Sequence, residues 1–292
     1  MKLFETIGNT PLVEMTNSAI KSGVRVFAKL EGNNPAGSVK DRPAFNMINE
    51  ALKSGKIKKG DTVIEATSGN TGIALAMCAS VLGVKMILVM PDSATEERKK
   101  SMRAYGATLI ETPAEKTIEY SRIHAKELAE KNGYYLLNQF DNPDNWKAHY
   151  KTTGPEIWEQ TNNKITHFVS AMGTTGTITG VSTFLKEQKA SIKVIGAQPE
   201  EGSKIPGIRR WSPELLPAIF DETKVDEKRN LSQADAYEGA RNLAKKEGIL
   251  AGVSAGGAYH LACQLANEID EGIIVFIACD RGDRYLSTDL FI

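Results

Sequence analysis

The chain is short of the residues from which metal centres and covalent frameworks are built. Its three cysteines, Cys78, Cys263 and Cys279, are odd in number and far apart, and each lies in an apolar helical or strand-like context. That excludes a disulfide framework and a paired-thiolate zinc site. The four histidines, His124, His149, His167 and His260, are equally scattered, so no metal is expected. The longest apolar run, 273–279, is too short to cross a bilayer, and MKLFETIGNTP at the start lacks the apolar core of a secretory leader. The expected location is the cytoplasm, with no membrane partner. Neither sign of charge dominates: 36 Lys plus Arg stand against 36 Asp plus Glu. This balance argues against affinity won by coating nucleic acid or anionic lipid, while leaving room for a local anion site. The dinucleotide fingerprint G-x-G-x-x-G is missing, and so is a phosphate loop ending in Gly-Lys-Ser/Thr. Low-complexity segments and short-period repeats are missing too.

What remains is an ordinary globular composition, 41% hydrophobic and 25% charged over 292 residues, near the length at which a single core stops growing. Periodicity predicts a strand over 24–30 and an amphipathic helix over 39–52, with Ala44, Met47, Ile48, Ala51 and Leu52 on its apolar face. Strands over 63–66, 86–90, 108–111 and 134–137 alternate with helices over 72–82, 95–105 and 114–131. The segment 138–150 is rich in turn residues and reads as a crossover. A helix over 152–160 follows it. Alternation then resumes with strands over 167–171, 193–198 and 273–279 and helices over 177–189, 233–246 and 256–269. Such alternation implies α/β architecture with parallel sheets and helices on both faces. Two sheet-centred lobes are expected, 1–38 plus 145–292 as the larger and 39–144 as the smaller.

Two strand-to-helix turns carry small hydroxyl residues and glycine. Thr67-Ser68-Gly69-Asn70-Thr71-Gly72 follows the strand VIEA, and Gly173-Thr174-Thr175-Gly176-Thr177 follows HFVSAM. At such turns the unpaired N–H groups of the helix start converge on one spot, and Thr or Ser hydroxyls add donors, so each turn can hold a phosphate or a carboxylate. Either turn alone fits equally well with residues that merely cap a helix. Having two at the carboxyl ends of strands, where open α/β sheets bind ligands, says more. A third feature is Lys40, just after the Gly37-Ser38 turn and at the start of a helix. The positive end of the helix dipole disfavours an ammonium there, which suits a lysine that sheds its charge to attack an aldehyde. On residues 33–42 alone, a solvated turn lysine is the simpler reading. A reactive lysine with one phosphate cradle and one carboxylate cradle points to pyridoxal 5'-phosphate and an amino-acid substrate.

The motifs TIGNTPLV, LEGNNPAGSVKDR, IEATSGNTGIALAM, QFDNPDNWKAHY, ITHFVSAMGTTGTITGVS, QPEEGSKIPGIRRW, VSAGGA and CDRGDRYLS span nearly the whole chain. Together they resemble the cysteine synthases, within the tryptophan-synthase β-like (fold type II) pyridoxal-phosphate enzymes. The resemblance implies that Lys40 bonds the cofactor aldehyde and then serves as acid and base at the substrate Cα. It implies that Asn70 bonds the ring hydroxyl, that Gly173, Thr174, Thr175, Gly176 and Thr177 wrap the phosphate, and that Ser254 faces the pyridine nitrogen. Thr67, Ser68, Thr71 and Gln139 match the groups that take the substrate carboxylate. A second serine commonly follows the position of Ser254; here it is Ala255. Arg209 and Arg210, beside Trp211, suit an anionic second substrate such as thiosulfate. The implied reaction is replacement of the acetoxy group of O-acetyl-L-serine by sulfide or thiosulfate, in a homodimer. The alternatives are a cystathionine β-synthase-like or serine/threonine dehydratase activity, or a binding protein that has kept the fold.

Overall fold

The computed structural model describes residues 1–18 and 20–292. In chain order, β1 (Leu12–Glu14) and β2 (Val24–Leu30) precede α1 (Asp41–Lys53), β3 (Thr62–Ala66), α2 (Asn70–Leu82) and β4 (Lys85–Pro91). Then come α3 (Glu96–Ala104), β5 (Thr108–Thr112), α4 (Thr117–Asn132), β6 (Tyr135–Leu136), α5 (Pro143–Lys151) and α6 (Thr153–Gln160). The chain continues through β7 (His167–Ala171), α7 (Gly176–Gln188), β8 (Lys193–Pro199), β9 (Glu227–Leu231), α8 (Gln233–Glu247), α9 (Val253–Glu268) and β10 (Gly272–Ala278). Contacts divide it into two compact units, Met1–Val39 with Trp146–Ile292, and Lys40–Asn145. Among the described residues, no helix is long and apolar enough to cross a membrane.

In the larger unit the strand order is β1-β2-β10-β7-β8-β9, parallel throughout except for the antiparallel pair of β1 with β2. Alternate residues feed two cores, as the two-residue repeat of a strand requires. Val26, Ala28, Val169, Ile274 and Phe276 face a cluster that includes Ala236, Ala240 and Leu243 of α8 and Ala258, Ala262 and Ala266 of α9. Phe168, Val194, Val275 and Ile277 belong to the other cluster, with Ile157 of α6 and Ile178, Val181 and Leu185 of α7. Helices therefore cover both faces, and the strands carry near-continuous apolar runs.

The smaller unit has a parallel sheet of order β5-β4-β3-β6. On one face, Ala125 and Ala129 of α4 pack on Ile64, Ala66 and Val89. α2 is buried along Thr71–Ala79 and packs against α1, α3 and β4. Cys78 is fully buried there, and burial pushes its thiol well above the usual range.

Two segments differ from the pattern expected of them. The stretch expected as a crossover turns only over its first part and then forms α5. Asn142 accepts the Asp144 N–H through Oδ1 at 3.0 Å, and Pro143 opens the helix. An Asn cap followed by Pro is a helix start, because the missing N–H is one the first turn does not need. β9, with sequence EKRNL, was not expected as a strand; it is a charged edge strand, exposed on most residues, so it lacks apolar alternation.

The approach of α8 and α9 fixes where α9 begins, and two glycines permit it. A Cβ at Gly239 would lie 2.1 Å from the Gly256 carbonyl oxygen, and one at Gly256 would lie 2.3 Å from the Ala236 carbonyl oxygen and the Ala240 nitrogen. These neighbours are backbone and cannot turn aside. Gly256→Val is therefore expected to lower the thermal midpoint by roughly 5 °C or more, the cost of overpacking in a chain of this size. An unchanged midpoint in calorimetry would mean that the two helices part freely.

Candidate active site

The carboxyl end of β3 builds the first cradle. The Thr67 N–H donates to the Val89 carbonyl at 3.0 Å, which holds the chain at the edge of β4 as it leaves the sheet. Gly69 is the N-cap of α2 and has extended backbone; its N–H reaches Thr67 Oγ1 at 3.4 Å, and the Gly72 N–H donates to the Gly69 carbonyl at 3.0 Å. A Cβ at Gly72 would sit 2.7 Å from the tip of Met102 and 3.3 Å from Thr67 Cγ2, so the glycine lets the turn fold tightly onto α2. Thr67 and Thr71 are buried, while Ser68 and Asn70 are partly exposed.

Gln139 is brought to this turn from 72 positions beyond Thr67 in the chain. Its N–H donates to Glu65 Oε2 at 3.1 Å and its Nε2 to the Ala66 carbonyl at 3.4 Å, while Asn145 Nδ2 donates to its carbonyl at 2.6 Å. Thr67, Ser68, Thr71 and Gln139 thus gather at one strand end. Lys40 is the N-cap of α1, already helical in its backbone, with its carbonyl accepting the Ala44 N–H at 3.0 Å; its side chain is half-buried. α1 buries Ala44, Met47, Ile48 and Ala51, the face expected from their spacing.

The carboxyl end of β7 builds the second cradle. A Cβ at Gly173 would lie 2.8 Å from the Gly207 carbonyl oxygen, so the two loops meet backbone to backbone. The Arg209 N–H donates to the Met172 carbonyl at 2.8 Å, and Trp211 Nε1 donates to the Gly173 carbonyl at 2.9 Å. Thr175, the buried N-cap of α7, has φ of +69°, a left-handed backbone that strains a β-branched residue. Gly176 is buried and its N–H only reaches Thr174 Oγ1 at 3.4 Å. His149 supports the end of the loop: Nε2 lies 3.3 Å from Thr177 Oγ1 and Nδ1 lies 2.9 Å from Thr153 Oγ1. Nothing in the sequence pattern signals that contact, which joins α5, α6 and α7.

Ser254 lies in the first turn of α9, buried, within 3.5 Å of where a Gly207 Cβ would be. Ala255 is fully buried in the α8–α9 core, a place where an added hydroxyl would need a partner. Arg209 and Arg210 diverge. The Arg209 guanidinium sits over the Trp211 ring, 5.3 Å from its centre, whereas Arg210 Nη1 donates to Asn230 Oδ1 at 3.0 Å and to the Pro199 carbonyl at 3.3 Å.

Small residues, a strained helix start and converging N–H and hydroxyl groups fit a phosphate monoester at 173–177. A half-buried lysine at a helix cap and a hydroxyl-rich turn, both in the smaller unit, fit an aldehyde-bearing cofactor and an amino-acid carboxylate. A family model described as "Pyridoxal-phosphate dependent enzyme" matches residues 3–280. The chain belongs to that family. It is similar to cysteine synthase B of Escherichia coli K12, with 57% identity over 289 residues that cover 99% of this chain and 95% of that protein. Among solved structures it resembles the cysteine synthase of Entamoeba histolytica, with TM-score 0.94, 40% identity and coverage of 99% of this chain and 90% of that one. It also resembles the O-acetylserine dependent cystathionine β-synthase of Helicobacter pylori, with TM-score 0.92, 37% identity and coverage of 100% and 99%. The α/β parallel-sheet fold, the resemblance to cysteine synthases and the cofactor expected from the motifs are all borne out.

A residue outside the expected set is Glu65. Its carboxyl is buried in the smaller unit, and desolvation pushes its pKa up to about 7, against the lowering pull of backbone N–H groups from Gln139 and Ala66 and of the Arg122 charge. The available signal was an acidic residue inside the apolar strand TVIEA, just ahead of the hydroxyl-rich turn. The raised value has a defined consequence for stability. Between the ordinary value of 4.5 and about 7, the folded protein binds more protons at this site than the unfolded chain. Stability is therefore greatest below this window and falls as pH rises through it, by about 3 kcal/mol at most for one fully buried carboxyl. Glu65→Gln is expected to flatten that part of a plot of thermal midpoint against pH. An unchanged slope between pH 5 and 7 would assign the titration to other groups.

Proposed function

We propose that the protein is a cysteine synthase that replaces the acetoxy group of O-acetyl-L-serine with sulfide, giving L-cysteine and acetate. The observation that carries this reading is the 57% identity to cysteine synthase B over almost the full length of both proteins. Pyridoxal phosphate, when bound, supplies an electron sink for the pair left at the substrate Cα. Residues of this chain do the rest. Lys40 would hold the cofactor through its aldehyde, and its amine, once displaced from that aldehyde by the substrate amine, would take the Cα proton and later return it. Asn70 would donate to the ring hydroxyl. N–H groups and hydroxyls of Gly173–Thr177 grip the phosphate at the start of α7, where the helix dipole favours an anion.

Thr67, Ser68 and Thr71 hydroxyls, the first N–H groups of α2 and the Gln139 amide bind the substrate carboxylate and orient the Cα–H bond toward Lys40. Closing of the 67–72 turn over substrate excludes water. Ser254 would offer the pyridine nitrogen a neutral hydroxyl rather than a carboxylate, which would not enforce protonation there and would favour prompt departure of the β substituent over amino-group transfer.

Thiosulfate is the second donor in this reading, with S-sulfocysteine as product. Its anionic end pairs with Arg209, which the Trp211 ring presents, while Arg210 secures the loop through Pro199 and Asn230. The enzyme works in the cytoplasm as a homodimer. Its smaller unit carries the substrate turn and its larger unit the phosphate loop. A second reading, transfer to a larger thiol, draws support from the 37% identity to an O-acetylserine dependent cystathionine β-synthase.

Purified protein is expected to absorb in the near-visible range and to convert O-acetylserine and sulfide to cysteine. Lys40→Ala should lower kcat by about a thousandfold; a variant retaining full turnover would sink the assignment of Lys40. Arg209→Ala should raise KM for thiosulfate about tenfold while barely affecting sulfide, the loss of one charge-assisted contact. If homocysteine outcompetes both inorganic donors, the second reading replaces the first.

A further inference from the structure

The β3–β6 ladder stops early, and a carboxylate takes over where it ends. Residues 63 and 64 pair with Tyr135 and Leu136, and the Leu137 N–H still reaches the Ile64 carbonyl at 3.2 Å. Asn138 then adopts a left-handed backbone, with φ of +53°, and the strand direction is lost. The next N–H, that of Gln139, bonds the Glu65 side chain at Oε2 instead of a backbone carbonyl. Oε1 of the same carboxylate accepts the Ala66 N–H at 3.1 Å. One buried side chain therefore holds the amide immediately before Thr67 and the amide of Gln139, two segments otherwise far apart in the chain. The Gln139 side chain closes the ring by donating to the Ala66 carbonyl.

A carboxylate is an expensive way to fill an apolar site, since an apolar residue of similar size avoids the cost of desolvation. Arg122 of α4, stacked over Phe140 at 4.5 Å, is the charged group acting on it, and the other groups that bear on it are the Gln139 and Ala66 amides. What the side chain offers once ionised, above about pH 7, over an apolar or amide side chain is two acceptor atoms with no obligatory donor. It can serve two N–H groups at once.

We propose that Glu65 is a positioning residue for the substrate-carboxylate cradle, fixing Gln139 against the turn that begins at Thr67 so that both present their donors together. The inference rests on the reading of Thr67, Ser68, Thr71 and Gln139 as that cradle. Glu65→Gln keeps the volume but leaves one acceptor atom where there were two, so one of the two amides is released. In the cofactor-loaded enzyme assayed above about pH 7, where Glu65 is ionised, KM for O-acetylserine is expected to rise about tenfold, with kcat and KM for sulfide within about twofold of wild type. Amide exchange at Gln139 or Ala66 should quicken in the same variant. A merely structural role would instead lower kcat and the folded fraction together and leave KM unaltered.

Thr67→Ala, measured alongside, separates the layers. If it raises KM for O-acetylserine and Glu65→Gln does not, the tether is wrong and the cradle stands; if Thr67→Ala leaves KM unaltered, the cradle falls and the tether with it. Should Glu65→Gln fail to fold, Glu65→Asp keeps the charge on a shorter arm that cannot span both amides, and the same rise in KM is expected. An unaltered KM in that variant overturns the proposal.

Discussion

The first N–H groups of an α-helix have no acceptor within it, and a parallel sheet collects such helix starts at the carboxyl ends of its strands. Both cradles of the proposed chemistry are built on that constraint. α2 and α7 each begin directly after a strand, at Asn70 and Gly176, and each start is bordered by threonines and glycine rather than by a bulky cap. A fold that must satisfy those donors by some means is already most of the way to an anion site. Glycines at 72 and 173 let the two turns pack closely, where a Cβ would meet Met102 and the Gly207 carbonyl.

Support for these starts comes from side chains that touch no ligand in the proposed chemistry. His149 backs Thr177, Trp211 anchors the carbonyl of Gly173, and Glu65 holds Gln139. Each is drawn from a segment distant in sequence, which is how a loop gains definition that its own residues cannot provide. The two arginines go separate ways: Arg209 is stacked on the Trp211 indole, and Arg210 bonds the ends of β8 and β9.

How much of this could be read in advance depended on whether the signal was local. The alternation of strands and helices was legible because each buried strand is a run of apolar residues and each helix has a face, as Ala44, Met47, Ile48 and Ala51 illustrate in α1. The two hydroxyl-rich turns and Lys40 were legible for the same reason: chain continuity alone keeps each turn together. β9 was hidden because an edge strand can be almost wholly polar. α5 was hidden because Asn, Pro and Asp are turn residues as well as helix starters, and only the Asn142 bond to the Asp144 N–H decides between the two. The role of Glu65 was out of reach because its second partner lies 74 residues away.

Thr175 has a consequence for the history of the chain. Its left-handed backbone costs roughly 1 kcal/mol or more, which glycine at that position would relieve. Selection for heat resistance alone would therefore be drawn to residue 175, and the variants it favoured would forfeit a hydroxyl and the fixed shape of the loop.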